Sequence, residues 1–76
     1  MKELVEFLAK SLVSRPEAVV VTEEQRGDTW VYRVSVHPED TGRIIGRHGR
    51  IAKAIRSVVS AAAHRERRQV QVDIDA

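Results

Sequence analysis

Ile44-Ile45-Gly46-Arg47-His48-Gly49-Arg50-Ile51 sets two glycines three residues apart between two stretches of helical character. Pro38 can open the first helix, and Glu39 and Asp40 suit the positive end of its dipole. Gly46 ends that helix near Ile45. A second helix is expected from about Arg50 to His64, with Ile51, Ile55, Val58, Val59 and Ala62 on one arc and Arg50, Lys53, Arg56, Ser57, Ser60 and His64 on the other. The two helices share almost no connecting loop, so the chain must reverse sharply, which glycine permits at least steric cost.

Upstream, Leu4, Val5, Leu8 and Leu12 recur at helical spacing within Lys2 to Ser14, and Arg15-Pro16 ends that helix. Ala18 to Glu24 is β-branched and reads as a strand. Gln25-Arg26-Gly27-Asp28 is a turn into a second strand, Thr29 to His37. There Trp30, Tyr32, Val34 and Val36 point one way, while Val31, Arg33, Ser35 and His37 point the other. Downstream, Arg65 to Arg68 is a polar connection and Gln69 to Asp75 a closing strand, with Val70, Val72 and Ile74 on its apolar side. The order α-β-β-α-α-β predicts an α+β fold, a three-stranded sheet covered on one face by three helices. Residues 1–76 leave room for one domain, with no repeat, linker or low-complexity tract.

Composition narrows the chemistry. Such a chain buries only about 60% of the surface its unfolded form exposes, which leaves little space for a catalytic cavity. No cysteine is present, so no disulfide or thiolate zinc site is expected, and a reducing, cytoplasmic setting fits. No segment has the length and apolarity of a signal peptide or a membrane span. The net charge of +2 hides an uneven distribution. Met1 to Pro38 holds five Lys/Arg against six Asp/Glu, whereas Glu39 to Gln69 holds eight against three. That concentration is the footprint of a polyanion partner. Around the two glycines, Arg43, Arg47 and Arg50 stand with Lys53 one turn further on. A helix N-terminus there adds unpaired N–H groups, so the arrangement is a phosphate cradle.

The run from Ile44 to Ile51 resembles the GxxG signature of KH domains, which clamp about four single-stranded nucleotides. A helix and a strand ahead of the core resemble the type II, bacterial arrangement. The chain length and the run Pro38-Glu39-Asp40-Thr41-Gly42-Arg43-Ile44-Ile45-Gly46-Arg47-His48-Gly49 are similar to the stand-alone KhpA family over the full chain. The resemblance implies a type II KH domain that binds single-stranded RNA. It implies phosphates held at Gly46, Arg47, His48 and Gly49, with Arg43, Arg50 and Lys53 around them, and bases beside Ile44 and Ile45. It implies a bacterial RNA chaperone or post-transcriptional regulator. The partners it implies are a second copy or a larger KH-containing protein of the Jag family. The alternatives are a KH-fold dimerisation module and a ribosome-assembly accessory. Nothing in the motif is committed to reading a 2′-hydroxyl, so single-stranded DNA stays open.

Plainer readings accompany several residues. Gly42 and Gly46 suit close helix packing, and His48 is divided between a phosphate contact and simple exposure. The spacing of Trp30 and Tyr32 with Val34 and Val36 favours packing over a base-stacking platform. Arg65, Arg67 and Arg68 read as a solvated turn, with extension of the RNA path as the lesser alternative. Arg26-Gly27-Asp28 is a hairpin turn. Three histidines without cysteine do not suggest a metal site or cofactor. No motif supplies an activated nucleophile, and Glu39 and Asp40 are explained by helix-start chemistry, so no enzyme is expected.

Overall fold

The second predicted strand is the centre of the sheet. In the computed structural model, which describes residues 1–74, β2 (Thr29–Ser35) pairs antiparallel with β1 (Val20–Arg26) and parallel with β3 (Gln69–Ile74). The register aligns one apolar row across all three strands, Val21 with Val34 and Ile74, and sets Tyr32 beside Val72 on one side and Glu23 on the other. On the covered face Tyr32, Val34 and Val72 pack with Val5 and Ala9 of helix α1 (Lys2–Leu12), Ile44 of helix α2 (Thr41–Ile45), and Ile55 and Val59 of helix α3 (Arg50–Arg65). Burial of such side chains contributes roughly 1.5–3 kcal/mol each.

Several expectations shift at their edges. Helix α1 stops at Leu12 because Val13 is already extended, and Pro16–Ala18 forms a single 3₁₀ turn before β1 begins at Val20. The segment expected as one helix from Pro38 divides into a 3₁₀ turn, Pro38–Asp40, and α2. The strand expected through His37 ends at Ser35, and the last residues assigned to β3, from 75 on, lie outside the described residues.

The buried arc of α3 is also rotated from the one expected. Ala52, Ile55, Val59 and Ala63 are buried, while Val58 is 47% exposed. Alanines facing inward let a helix approach its neighbours closely, a preference that hydrophobicity alone does not encode. Val31, on the open face, is buried between its cross-strand partners Glu24 and Gln71. No helix among the described residues is long and apolar enough to cross a membrane.

Candidate nucleic-acid interface

Gly46 follows α2 with φ 77° and ψ 171°, a conformation essentially confined to glycine. A Cβ there would lie 2.9 Å from the backbone nitrogen of Ile51 and would overlap that side chain's Cγ1. The amide of Gly46 donates to the carbonyl of Gly42 at 2.9 Å, and that of Gly49 donates to the carbonyl of Gly46 at 3.1 Å. Between them Arg47–Gly49 makes one 3₁₀ turn, in which His48 takes a left-handed φ of 57°. Gly49 is left-handed too, at φ 72°, yet a Cβ on it would meet nothing within 4 Å. The first glycine is therefore demanded by packing inside the protein. The second leaves open space above a backbone that another chain can approach. Gly42, expected to pack closely, would meet nothing within 4 Å and has no such role.

Helix α3 starts immediately after Gly49 with no side chain bonded to its first turn. The amide of Arg50 turns back to the carbonyl of Arg47, and the positive end of the helix dipole, with no side chain over it, is left to an external anion. Arg43, Arg47, His48, Arg50 and Lys53 are all exposed around this point. None of these four Arg and Lys cations belongs to an ion pair among the described residues. Of the residues expected at the site, Ile44 is displaced: it is fully buried and packs in the core, so it supports the loop from beneath and offers no surface to a base. Ile45, Gly46 and Ile51 remain partly exposed. Tyr32 is also buried, which rules it out as a stacking platform; burial pushes its hydroxyl pKa up.

Two further residues hold the site together. Asp40, read from the sequence as a helix-start residue, is 1% exposed and reaches 26 residues back along the chain. Its Oδ1 accepts from the Ser14 hydroxyl at 2.7 Å and the Ser14 amide at 3.1 Å, and its Oδ2 accepts from the Arg15 amide at 3.1 Å. The Ser14 hydroxyl bond is the main cause holding its carboxyl pKa below the usual range; burial opposes it, and the two amides and Arg43 assist. Through these bonds the segment that follows α1 fixes the start of α2, and so the direction from which the loop emerges. Arg56, placed on the polar arc, donates from Nε to the carbonyl of Val72 at 3.1 Å and ties α3 to β3. Beside this bond an open hollow of about 260 Å³ runs between Arg56, Ser60 and residues 70–73. No local sequence signal marks either contact, since both depend on how distant elements meet.

A three-stranded mixed sheet with a glycine-bounded reversal between two helices on its covered face defines a KH domain of the αββααβ kind. Residues 2–74 match the family model described as "KhpA/KhpB, KH domain", and the chain belongs to that family. It is 54% identical over 74 residues to the RNA-binding protein KhpA of Clostridium perfringens, covering 97% of this chain and 99% of that one. It is 50% identical over 74 residues to the RNA-binding protein KhpA of Halalkalibacterium halodurans, covering 97% of each. Among solved structures it resembles Aquifex aeolicus Era, crystallised with GDP and an aluminium fluoride, at a TM-score of 0.67 and 19% identity. That match spans 96% of this chain but 28% of Era, and is a likeness of fold alone.

Proposed function

We propose that this protein binds single-stranded RNA in the cytoplasm, without catalysing a reaction on it, as a bacterial RNA chaperone or post-transcriptional regulator. Gly46, Arg47, His48 and Gly49 carry the strand's backbone, with Arg43, Arg50 and Lys53 supplying charge. Bases lie along the partly exposed Ile45 and the hollow beside β3. The observation that carries this reading is the first turn of α3. It is uncapped, opens onto the bare backbone of Gly49, and is ringed by cations with no partner among the described residues. The relatives' designation as RNA-binding proteins supports the same ligand. Phosphate contacts set orientation and affinity, while contacts to splayed bases add a modest preference.

Pairing with a second copy, or with a larger KH protein of the Jag type, is compatible with this use. The 67% exposure of Phe7 and the exposure of Val58 favour some protein contact on the helical side. Both the ligand and the mechanism are tested by titrating one RNA sequence, single-stranded and then annealed to its complement, across a range of salt. Unpaired RNA is expected to bind more tightly, because stacked bases cannot enter a groove. About three phosphate contacts give a log–log salt slope near −2 for a single strand. Equal binding of the duplex, or a slope of zero, would overturn the reading.

A further inference from the structure

A second group of cations lies at the other end of α3, about 24 Å from the loop at 1.5 Å per residue over its 16 residues. Arg65, Arg67 and Arg68 are exposed there, and none joins an ion pair among the described residues. The helix closes with interleaved bonds: the amide of Arg67 donates to the carbonyl of His64 at 3.0 Å, and the amide of Arg68 to that of Ala63 at 2.9 Å. Glycine usually takes the left-handed position in this closure, but here it is Arg67, with φ 56°. Only one other non-glycine residue among those described has a positive φ, and it is His48 in the loop. Both unfavourable conformations thus fall on basic residues, one at each end of α3.

Arg68 is held rather than free. Its guanidinium carbon lies 4.8 Å from the centroid of the Trp30 ring, within cation–π range. Trp30, Gln25, Asp28, Arg67, Arg68 and Gln69 line an open hollow of about 400 Å³. Asp28 is the one carboxylate in that lining. The next residue of β3, Val70, belongs to the hollow beside Arg56, so the two depressions adjoin along the strand. Arg50, Lys53 and Arg56 follow one another at i, i+3 spacing on α3 and lead from the loop toward this end.

We propose that this pole is a second contact for the same RNA strand held at the loop: one base stacks on the Arg68 guanidinium over Trp30, and Arg67 meets a neighbouring phosphate. The proposal rests on the loop being the RNA clamp. Guanidinium planes are a recurrent stacking surface for unpaired bases, and an indole beneath fixes the plane before the base arrives. The cationic row on α3 runs from Arg50 to Arg56, and the two hollows along β3 carry the route on to the pole. Continuity with that row favours RNA over an acidic peptide as the occupant.

Trp30 is the chain's single tryptophan, so its emission reports this pole directly. The test uses the full chain with oligouridylates of four and of roughly twelve nucleotides, following both anisotropy of a labelled RNA and Trp30 fluorescence. The longer RNA is expected to quench Trp30 and the shorter one to leave it unchanged. Arg67→Gly with Arg68→Gln keeps the turn and removes both contacts. Once circular dichroism shows it folded, it should bind the short RNA like the parent and the long one about tenfold more weakly, or about 1.4 kcal/mol. Unchanged long-RNA binding in this variant, or no quenching in the parent, would overturn the proposal. So would equal quenching by an acidic peptide of matching charge, which would assign the pole to a protein partner. Failure of the loop itself is distinguishable: Arg47→Asp with His48→Asp then leaves short-RNA binding intact, whatever the pole does.

Discussion

The two ends of α3 solve the same problem with different residues. At the N-terminal end the chain reverses through two glycines, and at the C-terminal end it reverses through Arg67. Space explains most of this. Gly46 is pressed against Ile51, so any side chain there collides with the core-facing helix, whereas the C-terminal turn projects from the protein and can tolerate an arginine. Gly49 belongs with neither case. Nothing inside the protein touches its Cβ position. Its left-handed φ already favours glycine, and the bare Cα also leaves the backbone open to something outside, which is why the loop, rather than the equally basic C-terminal turn, is the proposed clamp.

The sharpest break in this comparison is Gly46→Ala. It combines a backbone conformation essentially forbidden to alanine, costing about 1–3 kcal/mol, with overlap against Ile51, so the loss of stability should reach about 3 kcal/mol in chemical denaturation. A loss below ~1 kcal/mol would mean that the loop relaxes easily and that packing does not dictate the glycine. Gly49→Ala meets no obstacle and bears only the left-handed φ, a cost of about 1–2 kcal/mol, while it places a methyl group where a phosphate must come. Its affinity for RNA should therefore fall out of proportion to its stability. Arg67→Gly should show the opposite sign. Relief of the left-handed φ outweighs glycine's extra chain entropy by about 0.5 kcal/mol, a rise in Tm of roughly 2–4 °C for a domain of this size.

Acid tests the frame behind the loop. The folded pKa of Asp40 lies below its unfolded value, so its contribution is complete above the ordinary carboxylate pKa and is lost as pH falls through the depressed one. Tm should accordingly fall faster below about pH 4 in the parent than in Asp40→Asn, with the two curves converging. Parallel curves would show that the bonds from Ser14 and Arg15 do not distinguish the charged carboxylate.

The comparison also marks what was legible from sequence. The order of elements along the chain and the reversal at Gly46–Gly49 can be read directly, because alternation at Trp30, Tyr32 and Val34 and a glycine pair between amphipathic helices are local patterns, whereas the parallel pairing of β3 with β2 depends on how distant segments meet. Ile44 lies in the core and not on the surface for a specific reason. Isoleucines flanking a binding loop look alike in sequence, and only the position of α2 over the sheet decides that Ile44 points inward while Ile45 stays half exposed. Asp40 escaped for the same reason at longer range, since its partners are 25 and 26 residues away. The stacking of Arg68 on Trp30 joins two turns that meet only when β3 pairs with β2.

The most direct measurement replaces Arg47 and His48 together with Asp and keeps both glycines. Position 48 is left-handed, a conformation that aspartate tolerates better than most residues, and both side chains are exposed, so stability should change by no more than about 0.5 kcal/mol per site. Two carboxylates would then stand where the phosphates approach. With circular dichroism and Tm essentially those of the parent, affinity for a short single-stranded RNA should fall at least tenfold, or about 1.4 kcal/mol. A folded variant that binds this RNA as tightly as the parent would contradict the assignment of the Gly46–Gly49 loop as the RNA clamp.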